Sequence, residues 1–237
     1  MKIGMASYRS ENRNIAFNVS QIERALKDAQ GKVDLLCFGE AFLQGFDSMC
    51  WKYETDKEMA VAQDSETMDK LRGLTVQYGT ALLFGYIEKE GDVLYSSCIV
   101  LAEGKTVYNY RRISQGWKEF SITDDHYREG TETGEFSLNG KKIMLALCGD
   151  MWDFPERFKT EHLLIWPVYC NYSLEDWADG IPEEYAEQAA LASKDTLLVN
   201  PIDNDPVNHG GAFRFQNGKV TDSIPFDCEQ ILIADVE

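Results

Sequence analysis

The sequence predicts an α/β fold in which a mixed sheet, or two sheets, carries helices on its outside. Three observations lead there. Short apolar runs bounded by Gly, Pro or acidic residues recur at residues 33–38, 80–87, 143–147 and 196–200, and continuous runs of that length read as buried strands. Before the first of them lies a helical period, with Ile15, Val19, Ile22, Leu26 and Ala29 falling on one face. Later in the chain, hairpin signals replace helices, as at Asn217-Gly218. With 237 residues, 44% of them hydrophobic, one sizeable core is affordable, and residues 1–237 are expected to form a single domain.

Taken in order, residues 2–8 read as a first strand and 14–30 as an amphipathic helix. Gly31 ends that helix, in the position favoured for a left-handed cap. Residues 33–38 form a second strand, closing at Gly39-Glu40. Residues 56–78 read as helical through Met59, Val61, Met68, Leu71, Leu74 and Val76. Residues 80–87, 93–101 and 106–112 are strands, with turns at 90–92 and 103–105. Residues 113–140 are irregular, and a stretch of that length marks a functional or disordered segment. Its aromatics Trp117, Phe120 and Tyr127 argue against disorder. Residues 141–148 form the central strand. A short helix at 155–160, a strand at 162–168, an Ala- and Glu-rich helix at 183–194 and a strand at 196–200 follow. A hairpin at Asn217-Gly218 and a last strand at 230–236 close the chain.

Composition excludes several function classes. The net charge of −17 repels phosphate backbones and anionic lipid, so neither nucleic acid nor membrane is an expected partner. None of the six cysteines is paired as C-x-x-C, and Cys37, Cys98 and Cys148 sit in apolar runs. That is reduced, cytoplasmic usage rather than a disulfide framework. The N-terminal residues carry no apolar signal-peptide region, and no run reaches transmembrane length. The three histidines are widely separated, which argues against a His-based metal site, and no cofactor is expected.

The chemistry points to residues 143–156. An apolar run stops at Cys148, followed by Gly149, Asp150 and a Pro-containing turn. A cysteine at the carboxyl end of a strand sits where open α/β sheets hold ligands. Gly149 adds a backbone N–H able to face a bound group. That combination seats a thiolate nucleophile beside an oxyanion donor; filling core is the plainer role for such a cysteine. Two other strand ends carry ionisable residues, Glu40 and Arg111-Arg112. If the strands are neighbours, the three converge: a carboxylate takes the thiol proton and a fixed cation holds the developing negative charge. Trp117, Trp152, Tyr169, Tyr172 and Trp177 fall in loops at the same edge, where they could line a pocket for a small apolar or planar substrate.

At these residues the sequence resembles the nitrilase superfamily, the carbon–nitrogen hydrolases. Phe38-Gly39-Glu40 with Phe42 and Gly45-Phe46 looks like the family's glutamate block, and Tyr110-Arg111-Arg112-Ile113 like its Tyr-Arg-Lys-Ile block. Cys148-Gly149-Asp150 through Phe154-Pro155-Glu156 looks like its cysteine block. Gly85 to Tyr95-Ser96 resembles the hairpin leading to the second block, and Leu232-Ile233-Ala234-Asp235 the final strand. The resemblance implies a four-layer α-β-β-α sandwich and a homodimer or higher homo-oligomer. It also implies hydrolysis of a non-peptide carbon–nitrogen bond in a small-molecule amide, ω-amide, carbamoyl or nitrile compound through a cysteine acyl-enzyme. Carried over by position, Cys148 is the nucleophile, Glu40 the general base and Arg112 the cation, with Gly149 N–H on the oxyanion. A second loop carboxylate is best matched by Glu119, ahead of Asp124 and Asp125. Gly149, Trp152, Trp117 and Tyr172 are the expected substrate-binding residues.

The pattern is broken in three places. The family's Pro before the glutamate is missing, and Gly210-Gly211-Ala212 lacks a usual serine. Above all, arginine stands where the family has lysine. Arginine stays charged, so it can stabilise an oxyanion but cannot pass a proton. Lys118 is the alternative cation. The same change motivates a second expectation, a catalytically impaired protein that binds a small carboxylate or amide without turnover.

Overall fold

The computed structural model describes residues 1–236. In chain order its elements begin β1 (Lys2–Ser7), α1 (Ile15–Ala29), β2 (Leu35–Cys37), α2 (Tyr53–Asp56) and α3 (Glu66–Tyr78). β3 (Ala81–Glu90), β4 (Val93–Ala102), β5 (Lys105–Arg111), β6 (Glu135–Leu138) and β7 (Lys141–Leu145) follow. Next come α4 (Asp150–Asp153), β8 (Leu163–Pro167), α5 (Leu174–Ala178), α6 (Ile181–Ala190) and β9 (Asp195–Val199). The chain closes with β10 (Ile202–Asn204), β11 (Val207–His209), β12 (Ala212–Gln216), β13 (Lys219–Ser223) and β14 (Gln230–Asp235).

Two six-stranded sheets form, ordered β14-β1-β2-β3-β4-β5 and β13-β12-β9-β8-β7-β6. Each is mixed: β1-β2-β3 and β7-β8-β9 run parallel, and antiparallel strands extend them outward. Side-chain alternation decides what each face meets. In the first sheet Ile3, Met5, Leu35, Cys37, Leu83, Cys98 and Val100 share one cluster with Ile143, Leu145 and Ile165 of the second sheet. Their neighbours Leu36, Leu82, Phe84, Ile99 and Leu101 face the opposite way, onto Val19, Ile22 and Leu26 of α1 and Met68 and Leu71 of α3. Burial on both faces is why these strands read as continuous apolar runs. α6 covers the outer face of the second sheet through Tyr185, Ala186 and Ala189. The result is the four-layer α-β-β-α sandwich.

Some elements depart from the sequence reading. α1 buries the expected face, with Asn14 accepting from Phe17 N–H at its start. The helix expected over 56–78 is continuous only from Glu66. Val61 leaves helical geometry to bridge Glu88, its N–H donating to Ile87 O, and Ser65 then caps a new start by accepting from Met68 N–H. The strand expected at 141–148 lies one place from its sheet's edge, because β6 forms inside the stretch read as irregular. Phe136 and Leu138 point inward from that short strand. α5, opened by a Ser173–Asp176 capping box, was too short for periodicity to reveal.

Arg111 and Arg112 separate as successive residues of a strand do. Arg111 turns outward to Glu88 and Glu90, and Arg112 turns inward. Glu88 is buried and accepts from Arg111, Ser97, Asn109 and Gln63. Burial raises its pKa, but these donors more than offset that and hold it below the ordinary 4.5. A carboxylate lowered on folding stabilises the fold fully above its unfolded value, and the contribution fades as pH falls through the folded value. Glu88→Gln is therefore expected to flatten the acid limb of the stability profile below about pH 4.5, measured by denaturant titration across pH; an unchanged limb counts against this role.

Candidate active site

The carboxyl ends of β2, β5 and β7 meet on one rim. Glu40 follows β2 and its N–H donates to Val168 O, 3.1 Å away, just beyond β8. That bond ties the glutamate's turn to the second sheet. The turn also lies directly on β3. A Cβ at Gly85 would stand 2.5 Å from Ala41 N and 2.7 Å from Glu40 Cα, so only glycine permits the approach.

Glu40 and Arg112 form a buried ion pair. Arg112 Nη1 donates to Glu40 Oε1 at 2.8 Å, and the residues are only 3% and 1% exposed. Ser96 Oγ donates to the same Oε1 at 3.1 Å. Glu40 Oε2 is buried and has no partner among the described residues. Arg112 Nε donates to Ser114 Oγ at 2.7 Å. Burial disfavours the guanidinium's charge, but Glu40, Cys148 and Asp150 outweigh it and raise its pKa.

Cys148 is half-buried and has φ +45°, the left-handed region. Non-glycine residues enter that region at a cost and persist there when their surroundings hold them. Here Cys148 N–H donates to Pro167 O at 2.9 Å, and Trp166 Nε1 donates to Cys148 O at 2.9 Å. The strand therefore turns sharply into α4 and presents the thiol at the rim, as nucleophile elbows do. A hydrogen bond with Cys170 and burial push the thiol well above its usual pKa; Glu40 acts in the same direction and Arg112 against it. Cys170 in turn lies 2.8 Å from Tyr185 Oη.

Asp150 holds the two halves together, a role the sequence reading did not assign. Its Oδ1 accepts from the N–H groups of Ile113 (3.0 Å) and Ser114 (2.8 Å), which follow Arg112. Its Oδ2 accepts from Leu147 N–H (3.0 Å), which precedes Cys148, and from Tyr110 Oη (2.6 Å). Burial raises its pKa, opposed by Tyr110, Arg112 and the backbone donors. The only signal in the sequence was an acid two residues after the cysteine.

The other expected site residues divide. Gly149 follows Cys148, a Cβ placed on it would run into Arg112 Nη2, and its N–H enters no hydrogen bond among the described residues. Trp152 packs against Trp166 and Tyr185, and Tyr172 against Trp177 and Tyr185; both are more than a third exposed. Trp117 is buried against Trp51 and Tyr127 in a cluster that also holds Ala41, beside Glu40. Tyr169 stacks on Phe46 at 4.1 Å, and its carbonyl lies 3.9 Å from Cys148 Sγ. Glu119 does not join the site. Its carbonyl accepts from Ile122 and Thr123 N–H in a turn that leaves the residue exposed. Lys118 is engaged elsewhere, 2.7 Å from Glu129 Oε1 and donating to Tyr127 O. No group of three or more His, Cys, Asp or Glu side chains among the described residues could hold a metal ion, and no helix there is long and apolar enough to cross a membrane.

A carbon–nitrogen hydrolase family model matches residues 2–179, a span that includes Glu40, Arg112 and Cys148. The chain belongs to the carbon–nitrogen hydrolase family. It is 30% identical over 151 residues to a nitrilase of Pyrococcus abyssi, an alignment covering 60% of this chain and 53% of that protein. The chain spans about half the length of the curated relatives it matches. Among solved structures, a carbon–nitrogen hydrolase superfamily protein of Xanthomonas campestris superposes with a TM-score of 0.79 at 16% identity, over 99% of this chain and 89% of that one. An amidase from Nesterenkonia sp. superposes at 0.76 and 18% identity, over 100% and 90%. At such identities these likenesses show the shared hydrolase fold alone.

Proposed function

We propose that this carbon–nitrogen hydrolase cleaves a small amide, ω-amide, carbamoyl or nitrile compound through an acyl-enzyme on Cys148. One observation carries the proposal: a buried carboxylate–guanidinium pair at 2.8 Å, with one carboxylate oxygen unpartnered, on the rim that holds a half-buried, strained cysteine.

For an amide, Glu40 takes the Cys148 proton as the sulfur attacks the carbonyl carbon. The carbonyl π electrons move to oxygen, which accepts from Gly149 N–H and stands in the field of Arg112. Glu40 returns the proton to the amide nitrogen, the carbon–nitrogen bond breaks and the amine leaves. Water then gives a proton to Glu40 while attacking the thioester. The second oxyanion collapses and expels the sulfur, which recovers its proton from Glu40. Arg112 remains charged throughout and acts only through its field and its N–H groups.

A glutamate-to-glutamine mutant of an amidase from Nesterenkonia sp. AN1 carries the acetamide moiety of fluoroacetamide on its active-site cysteine, which recommends that compound as a probe. Incubation with fluoroacetamide, followed by peptide mass spectrometry, is expected to label Cys148 well ahead of Cys37, Cys50, Cys98, Cys170 and Cys228. A panel of small amides should release ammonia. Equal labelling of all six thiols would overturn the nucleophile, and labelling without ammonia from any amide would favour binding without turnover.

A further inference from the structure

Glycine at 149 is not demanded by its backbone. Its φ −60° and ψ −14° are ordinary right-handed helical values, which alanine adopts more readily than glycine. What forbids a side chain is chiefly one neighbour. A Cβ at 149 would lie 2.3 Å from Arg112 Nη2, 3.3 Å from Arg112 Cζ and 3.2 Å from Ser114 Oγ. A second glycine faces the same nitrogen, since a Cβ at Gly116 would lie 3.2 Å from Nη2.

Nη2 cannot simply swing aside. The guanidinium is planar, with Nε held by Ser114 Oγ and Nη1 by Glu40 Oε1. Two pinned corners of a rigid plane fix the third. Neither bond uses Nη2, which is left facing the residue next to Cys148. A lysine ammonium has no plane and no third nitrogen, and would end short of this space.

We infer that Gly149 is a positioning residue whose missing side chain seats the Arg112 guanidinium, so that arginine at 112 and glycine at 149 form one matched feature. It deepens the function proposed above and rests on Arg112 being that site's cation. The arginine is then a built cation with its own cradle. It offers Nη2–H beside Gly149 N–H, where the substrate oxygen gathers charge.

Four proteins test this: the natural chain, Gly149→Ala, Arg112→Lys and the double variant. Thermal melting and the pH dependence of Cys148 labelling by fluoroacetamide are measured for each. Neither readout requires turnover, so failure of the hydrolase proposal leaves the test intact. In the arginine background Gly149→Ala is expected to lower the melting temperature by about 5 °C, as overpacking does. It should also slow labelling at neutral pH about tenfold and move the profile to higher pH, because a displaced Arg112 no longer favours the thiolate as it does from its present seat. In the lysine background the same change should move neither readout. Equal losses in both backgrounds, or none in either, overturn the inference. If Arg112→Lys does not fold, Gly116→Ala decides: a smaller shift of the labelling profile in the same direction supports the cradle, and no shift overturns it.

Discussion

Cys148→Ala is expected to cut turnover of any accepted amide by about 10⁴-fold or more, because the proposed covalent route has no second entrance. Cys170 is the sulfur best placed to substitute, yet it is 6% exposed and lies against Tyr185 Oη. Labelling at position 148 should vanish while the other thiols react as before. The fold should survive, since Cys148 is bound into the second sheet through its backbone N–H and C=O. Its stability carries a second signature. Alanine keeps the side-chain cost of φ +45°, whereas glycine does not. Cys148→Gly should therefore be more stable than Cys148→Ala by about 1 kcal/mol, read by chemical denaturation. Turnover retained within tenfold by either variant would remove Cys148 from the mechanism.

What could be read from the sequence follows from how each feature is encoded. Strands buried on both faces announce themselves as apolar runs, which made Glu40 and Cys148 visible where two of those runs end; Arg112 follows a more polar, partly exposed strand and was visible as one of a strand-end arginine pair. Their convergence rested on topology, which the ordered motif blocks supplied. Features set by contacts across the sandwich were not visible. Nothing local shows that Glu40 N–H reaches Val168 O, or that Ser96 and Ser114 hold the ion pair. Glu119 matched by spacing, but spacing along a loop does not say which way a side chain turns, and the turn at Ile122 and Thr123 sends it to solvent. Gly149 was read for its N–H; the importance of its missing side chain emerges only with Arg112 folded against it.

The departure from lysine acquires a physical setting here. A guanidinium spreads its donors over a plane, so it can hold Glu40 and Ser114 together and still face Gly149. Leaving either charge of such a buried pair alone is strongly unfavourable. The site therefore depends on a scaffold that delivers both partners at once, and that scaffold converges on one carboxylate.

Asp150→Ala is expected to lower stability by about 3–5 kcal/mol, the range for stripping a buried charge from its partners. It would leave three backbone N–H groups and the Tyr110 hydroxyl without their acceptor. Asp150→Asn keeps one acceptor oxygen and should lose less, though its amide hydrogens then face donors. The effect should not be confined to stability. Ile113 and Ser114 fix the segment after Arg112, and Leu147 fixes the turn into Cys148, so releasing them loosens the cation from the sulfur. Fluoroacetamide labelling of Cys148 should then slow well below denaturing conditions, ahead of global unfolding. Chemical denaturation combined with the labelling rate separates the two effects. Wild-type stability in Asp150→Ala would show that the donors find other acceptors. A stability loss with normal labelling would reduce Asp150 to a core residue with no hold on the site.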